Sequence, residues 1–256
     1  MSDDSSGIAI CIPTLNEAAS IGSVLERTAA ALTPFEYDIC IVDDGSRDGT
    51  REIVKKAAVT DRRIHLLEGE RSGVGCMRGQ ASRRGLEWLL HNTQHSVFVD
   101  LDADGSQRPE ELPAGIAALQ RSVADVAIAS KYVAGAEVAG RPLIRRLASR
   151  SYNTFLRAAM RAGILDYSNS YRFYSRRAAE LLLHFPIRYN GPVHLLEMMA
   201  IWLSNGMRVV EFPTLYDQRG EGASKVIFRD FLTGAAGAVD VALRYNAGYY
   251  RYSRSD

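Results

Sequence analysis

Short apolar runs alternate along this chain with stretches in which apolar residues recur every three or four positions. Residues 8–13 form a compact apolar run ended by Pro13, and residues 17–32 then carry Ile21, Val24, Leu25, Ala29 and Leu32 at helical spacing. A second apolar run, 38–42, closes on Asp43-Asp44-Gly45. Thr50 is placed to cap the next helix, whose inner face carries Ile53, Val54, Ala57 and Ala58. Residues 64–67 predict a third strand, followed by a Gly-punctuated loop and a long helix to about His91. Residues 96–99 and 126–129 predict strands four and five, with a helix beginning near Pro109 between them.

Strand–helix alternation of this kind predicts an α/β fold: a mostly parallel sheet with helices on both faces. Ligands of such sheets bind beyond the carboxyl ends of the strands. Three strands end in polar clusters: Pro13-Thr14-Leu15-Asn16-Glu17, Asp43-Asp44-Gly45-Ser46 and Asp100-Leu101-Asp102-Ala103-Asp104. They are expected to converge on one crevice. After about residue 131 the pattern changes. Residues 141–162 are basic and helical, 171–174 and 207–212 are strand candidates, and 176–185, 194–205 and 227–245 are helix candidates. The domain division expected is 1–225 for the catalytic unit and 226–256 for a C-terminal helix and tail, suited to a membrane interface or to docking on the domain.

Composition narrows the class without naming it. The chain has 256 residues, 46% hydrophobic and 24% charged, as ordinary globular domains do. A formal net charge of +1 announces no nucleic-acid partner. Cys11, Cys40 and Cys76 fit no zinc spacing or disulfide framework, so two of them, Cys11 and Cys40, read as small buried hydrophobes and the compartment as a reducing one, the cytoplasm. The polar, acidic start is not a signal peptide, and no apolar run reaches the roughly 18 residues of a membrane-spanning helix. Any membrane contact is therefore expected to be peripheral. The five histidines show no metal-ligand spacing.

The polar clusters suggest chemistry, each with a bland alternative. Asp102 and Asp104 repel one another unless a cation sits between them. Mg²⁺ or Mn²⁺ suits such hard oxygen ligands, with Ser106 near enough to join and substrate phosphate completing the shell. The alternative is an acidic loop capping the helix near Pro109. Asp43 and Asp44 can accept hydrogen bonds from a base or ribose, or can simply form a tight turn. Gly73-Val74-Gly75 is a weak phosphate-binding signal, because its spacing is not that of the dinucleotide fingerprint. Lys131 with Arg145, Arg146, Arg150 and Arg157 can receive an anion or form a solvated basic face. Arg219, Ser224 and Lys225 lie in a Gly-rich loop able to fold over a bound nucleotide.

Taken in order, the three strand ends resemble family 2 glycosyltransferases of the GT-A fold, and among them the dolichol-phosphate mannose synthases and related polyprenyl-phosphate glycosyltransferases. The motifs that carry the resemblance are Ile12-Pro13-Thr14-Leu15-Asn16-Glu17, residues 41–50 from Ile41-Val42-Asp43-Asp44 onward, and Asp102-Ala103-Asp104-Gly105-Ser106 with Pro109-Glu110. The resemblance implies an inverting, metal-dependent hexosyltransferase using a nucleotide-sugar donor such as GDP-mannose or a UDP-sugar. It implies that Pro13, Thr14, Glu17, Asp43 and Asp44, with Asp102, hold the nucleoside, and that Asp102, Asp104 and Ser106 hold Mg²⁺ or Mn²⁺. Lys131, Arg145 and Ser149 would meet an acceptor phosphate, with Arg219 and Lys225 in the closing loop; Asp102, Asp104 and Arg145 would carry the chemistry. The implied acceptor is a lipid phosphate; a soluble small-molecule acceptor is the alternative, and a catalytically silent nucleotide-sugar-binding module is the reading from another class. Three positions depart from the family pattern: Lys131 where arginine is usual, Ser170 where glycine is usual, and Leu195 where glutamine is usual. Were the acceptor a hydroxyl, a general base would be required, and Glu197 is the candidate.

Overall fold

The computed structural model describes residues 7–70, 77–138, 143–216 and 228–252, with the side chains of 144–145 and 228–233 excepted. The first half follows the predicted alternation: β1 (Ile8–Thr14), α1 (Ile21–Ala31), β2 (Tyr37–Asp43), α2 (Thr50–Thr60), β3 (Ile64–Glu68), α3 (Arg78–Asn92), β4 (Val97–Asp100), α4 (Leu112–Arg121) and β5 (Val126–Ser130). The second half comprises β6 (Glu137–Val138), α5 (Leu143–Met160), β7 (Arg172–Ser175), α6 (Arg176–Leu183), α7 (Val193–Ser204), β8 (Val209–Pro213), β9 (Leu215–Tyr216) and α8 (Phe228–Asn246).

Seven strands make one sheet in the order β3-β2-β1-β4-β7-β5-β8, while β6 and β9 pair separately. All pairings in the large sheet are parallel except those of β7, which runs antiparallel between β4 and β5. The runs of β1 and β2 are apolar on both faces because helices cover both faces. Ala9, Cys11, Cys40, Val42 and Phe98 point to the layer of α3, α6 and α7. Ile8, Ile10, Ile12, Ile39 and Ile41 point to the layer of α1 and α4. Cys11 and Cys40 are both buried thiols, as expected for small hydrophobes. Burial pushes the Cys40 thiol up to about 12, which leaves it unreactive.

Gly85 on α3 shows how closely that helix approaches the sheet. A β-carbon there would lie 2.4 Å from Cys11 Sγ, so only glycine lets α3 pack onto β1.

Two local expectations are revised. The helix predicted from 17 begins at Ile21. Residues 17–20 make a turn, with Ile21 N donating to Glu17 O at 2.9 Å, and the backbone amides of Glu17 and Ala18 meet Thr50 Oγ1 at 2.9 Å and Asp48 Oδ2 at 3.0 Å, which bind this turn to the loop after β2. Thr50 is the first residue of α2 rather than its cap; Gly49 holds the cap position at φ 97°. The Thr50 hydroxyl donates to Asp48 Oδ1 at 2.6 Å.

The C-terminal helix docks on the domain. Ala238, Val241 and Ala242 of α8 and the following Tyr250 are buried in the same core as α5 and α7. Asn205 Nδ2 donates to the Tyr250 carbonyl at 2.7 Å, and Tyr252 N donates back to Asn205 Oδ1 at 2.7 Å. Among the described residues no helix is long and apolar enough to cross a membrane.

Candidate functional site

Strands β2, β1 and β4 are neighbours, so their three polar ends share one edge of the sheet. Chain order reverses direction between β1 and β4, the switch point where an α/β sheet opens a crevice. The loops after β1 and β2 are stitched together at the surface: Asn16 N donates to Ser46 Oγ at 2.8 Å, and Arg47 N donates to Asn16 Oδ1 at 2.9 Å.

Pro13, Glu17 and Asp44 are half-buried on the rim, whereas Thr14 and Asp43 lie beneath it. The Asp43 carboxylate is fully buried and receives Thr14 Oγ1 at 3.1 Å, Gly45 N at 3.0 Å, Ser46 N at 2.9 Å and Arg51 Nε at 2.5 Å. Burial alone would raise its pKa, but the donors from Ser46, Arg51 and Gly45 outweigh it and hold the group below the ordinary carboxylate range. Asp44 lies 3.5 Å from Arg84 Nη1 on α3.

At the end of β4, Asp102 is oriented by an internal network. Its amide donates to Gln107 Oε1 at 2.9 Å. Its Oδ2 accepts from Gln107 Nε2 at 3.0 Å and from Ser170 Oγ at 2.8 Å, and Gln107 Nε2 also donates to Ser170 Oγ at 2.7 Å. Its Oδ1 is paired with the guanidinium of Arg78, the first residue of α3. Asp104 Oδ1 accepts from Ser106 N at 3.0 Å, and the Ser106 side chain is buried beside it. Two carboxylates and a hydroxyl are hard oxygen donors of the kind Mg²⁺ and Mn²⁺ take. Among the described residues no three His, Cys, Asp or Glu side chains gather to hold an ion by themselves. That donor set fits an ion completed by phosphate oxygens and water, not one caged by protein.

Behind Asp102 lies a layer of buried ionisable groups. Arg172 is fully buried and donates to three backbone carbonyls: Asn169 O at 2.9 Å, Leu195 O at 2.6 Å and Tyr167 O at 2.9 Å. Desolvation lowers its pKa to about 10, against the pull of Asp100 and Asp166. His194 is buried, with Nδ1 2.6 Å from Gly191 O, so Nδ1 carries the proton of a neutral imidazole. Burial first, then the Arg78 charge, pushes it down to about 3. Glu197 is also buried, accepting from Arg188 N at 3.1 Å and Tyr250 Oη at 3.3 Å, and burial raises its pKa. It thus joins the C-terminal tail to the loop before α7.

On the other flank, Lys131 Nζ is 3.2 Å from Asp166 Oδ2, and both side chains are almost wholly buried. Burial would raise the Asp166 pKa, yet Lys131 and the Ser168 hydroxyl hold it below the ordinary range. Ser149 Oγ accepts from Tyr132 Oη at 2.7 Å. Lys131, Tyr132, Arg146 and Arg150 line a surface pocket together with Leu143 and Leu147. Arg145 lies on α5, but its side chain, like Arg219, Lys225 and Gly73-Val74-Gly75 entirely, falls outside the described residues. The structure therefore places Asp102, Asp104 and Ser106 at the sheet edge beside the loops that follow β1 and β2, and the segment 166–170 links Lys131, through Asp166, to Asp102, through Ser170.

Sequence reasoning missed Arg51, Arg78, Gln107 and Arg172. Gln107 had a local signal, five residues beyond Asp102 in the same loop. Arg51 and Arg172 lie within eight residues of Asp43, Tyr167 and Asn169, but nothing in their spacing marks those partners, and Arg78 reaches Asp102 only through tertiary packing. Ser170, noted only as a departure from a family pattern, turns out to hold Asp102.

Comparison with known proteins gives a consistent picture. Residues 9–183 match the family model for Glycosyl transferase family 2. The polyprenol monophosphomannose synthase of Mycolicibacterium smegmatis is 33% identical over 219 residues, spanning 85% of this chain and 80% of that protein. The undecaprenyl-phosphate mannosyltransferase of Micrococcus luteus is 31% identical over 216 residues, spanning 84% and 85%. Among solved structures, glucosyl-3-phosphoglycerate synthase from Mycobacterium tuberculosis, in complex with Mn²⁺, UDP and phosphoglyceric acid, superposes with a TM-score of 0.66. It shares 16% identity, with 94% of this chain and 78% of that one covered, a likeness of fold.

Proposed function

The chain belongs to glycosyl transferase family 2, with the GT-A fold, and from that premise we propose that it transfers a sugar, with inversion, from a nucleoside-diphosphate donor to a polyprenyl phosphate. The observation that carries this reading is the juxtaposition of the Asp102–Asp104 carboxylates with the nucleoside loops at the switch point of the sheet. The two curated relatives are named for transfer to polyprenol or undecaprenyl phosphate, which supports the acceptor class.

Pro13, Thr14, Glu17 and Asp44, with Asp43 beneath, would position the base and ribose. Asp102, Asp104 and Ser106 would hold Mg²⁺ or Mn²⁺, which supplies positive charge to the departing diphosphate. An oxygen of the acceptor phosphate attacks the anomeric carbon from the face opposite the diphosphate. The new C–O bond forms as the bond to the diphosphate oxygen breaks, and that oxygen takes the electron pair. A phosphate acceptor is already ionised, so the transfer needs no strong general base. This agrees with Glu197 being buried against Tyr250 and Arg188. Lys131, Arg145, Ser149, Arg219 and Lys225 are assigned to the acceptor and phosphate side of the site.

Membrane contact would be peripheral. Leu143, Leu147 and Leu243 are well-exposed leucines on α5 and α8, and Arg146 and Arg150 flank the first two, a mixture suited to an anionic lipid surface. The test is a thermal-shift panel of GDP-, UDP-, dTDP- and ADP-linked sugars with and without Mn²⁺, because a ligand of the folded state raises the melting temperature. A Mn²⁺-dependent shift with one nucleotide class, lost in Asp102→Asn, is expected; no shift with any donor refutes the reading. Flotation with anionic liposomes at low salt tests the lipid acceptor: a chain that floats supports it, and a chain that stays at the bottom counts against it and favours a soluble small-molecule acceptor.

A further inference from the structure

Arg78 stands in an odd place for a structural arginine. It is the first residue of α3, whose N-cap, Met77, provides no side-chain cap. The positive end of the helix macrodipole disfavours a cation there. Nevertheless its side chain is only 24% exposed and turned onto Asp102, itself 15% exposed. Something other than helix stability accounts for that position.

Asp102 supplies the reason. Ser170 and Gln107 pin Oδ2 from one side, and Oδ1 is left facing the Arg78 guanidinium. A divalent ion on Asp102 has to use that same oxygen. A guanidinium and an ion compete for one carboxylate oxygen, since they repel at contact distance in a partly desolvated site. We propose that Arg78 is a resident cation that couples metal loading to arrival of the nucleotide diphosphate. With the crevice empty of nucleotide, Arg78 neutralises Asp102 and keeps its affinity for a divalent ion low. A diphosphate offers the guanidinium a better partner, with two oxygens matched to its planar fork. Arg78 then moves from carboxylate to diphosphate, releasing Oδ1 for the ion and adding a second positive charge beside the leaving group. Arg78 would thus be a positioning residue in the free enzyme and a leaving-group contact in the loaded one.

This inference rests on the metal reading of Asp102 given above, and the test separates the two. Free Mn²⁺ is measured by electron paramagnetic resonance during titration of the wild-type chain, Arg78→Met and Arg78→Lys, each alone and with saturating GDP or UDP. The wild-type chain is expected to bind Mn²⁺ weakly alone and at least tenfold more tightly with its nucleotide. Arg78→Met should bind Mn²⁺ alone at least tenfold more tightly than wild type, with most of the nucleotide coupling gone. Arg78→Lys, which keeps the charge, should bind Mn²⁺ alone as weakly as wild type, and it guards against a fold defect in the methionine variant. Equal Mn²⁺ affinity of wild type and Arg78→Met in the absence of nucleotide, with coupling intact in both, overturns the proposal and leaves the metal site standing. Failure of all three chains to bind Mn²⁺ even with either nucleotide overturns the metal reading, and this inference with it.

Discussion

Replacing Arg172 with methionine would test whether the site is built from behind. The guanidinium is fully buried and donates to the carbonyls of Tyr167, Asn169 and Leu195. Methionine fills much the same volume and returns no donor. Three buried carbonyls then lose charged donors, at roughly 1–3 kcal/mol for each group left unsatisfied. Relief from burying the charge offsets part of this, and truncating one member of a buried ionic cluster costs about 3–5 kcal/mol overall. Asp100 and Asp166 lose a compensating charge in the same step. With a urea slope of about 3 kcal/mol per M, the unfolding midpoint should fall by about 1–1.7 M. The consequence for the site is separable from that loss. The carbonyls of Tyr167 and Asn169 frame the segment that delivers the Ser170 hydroxyl to Asp102. The Mn²⁺-dependent shift with nucleotide should therefore shrink even at a temperature where the variant is fully folded. An unchanged urea midpoint refutes the energetic argument. A lowered midpoint with an undiminished Mn²⁺-dependent shift refutes the claim that Arg172 positions Asp102 through Ser170.

Two further outcomes follow from the buried layer. His194 is held near pKa 3 in the fold against an ordinary 6.5, so its stabilising effect is complete above pH 6.5 and drains away as pH falls toward 3. Between pH 7 and pH 5 this amounts to about 2 kcal/mol, and His194→Phe should flatten that part of the urea-midpoint profile; a variant with the wild-type slope refutes the assignment. Tyr250→Phe removes the hydroxyl that meets Glu197 at 3.3 Å and should cost about 1 kcal/mol. Urea denaturation measures the loss, and the thermal shift with nucleotide and Mn²⁺ should keep its size if Glu197 serves the C-terminal dock and not the transfer step.

Much of the molecule was legible in local pattern. The runs beginning at Ile8, near Asp38 and at Ile64 announced parallel strands, because strands covered on both faces must be apolar throughout. The spacing of Ile21, Val24 and Leu25 announced a helix, and the clusters at Thr14, Asp43 and Asp102 announced the crevice, because polar residues directly after a buried strand are exposed at its carboxyl end. The helix start at Ile21 was misjudged by one turn: Ile21 N donates to Glu17 O at 2.9 Å, so residues 17–20 make a hydrogen-bonded turn ahead of α1, and the amides of Glu17 and Ala18, which no intrahelical carbonyl faces, are met by Thr50 and Asp48 some 30 residues away.

What the chain alone determined was therefore the periodicity of its elements and the chemistry at three strand ends, both short-range properties of neighbouring residues. Only the tertiary structure decided that β7 runs antiparallel beside β4, setting Arg172 opposite Asp100 and carrying Ser170 to Asp102 across 68 residues of sequence. Only it put Arg78 against the same carboxylate and turned the C-terminal tail inward, so that Tyr250 meets Glu197. The reason is that a strand's direction and a long side chain's partner depend on how whole layers pack, and no local pattern of hydrophobic and polar residues records the packing of elements far apart in the chain.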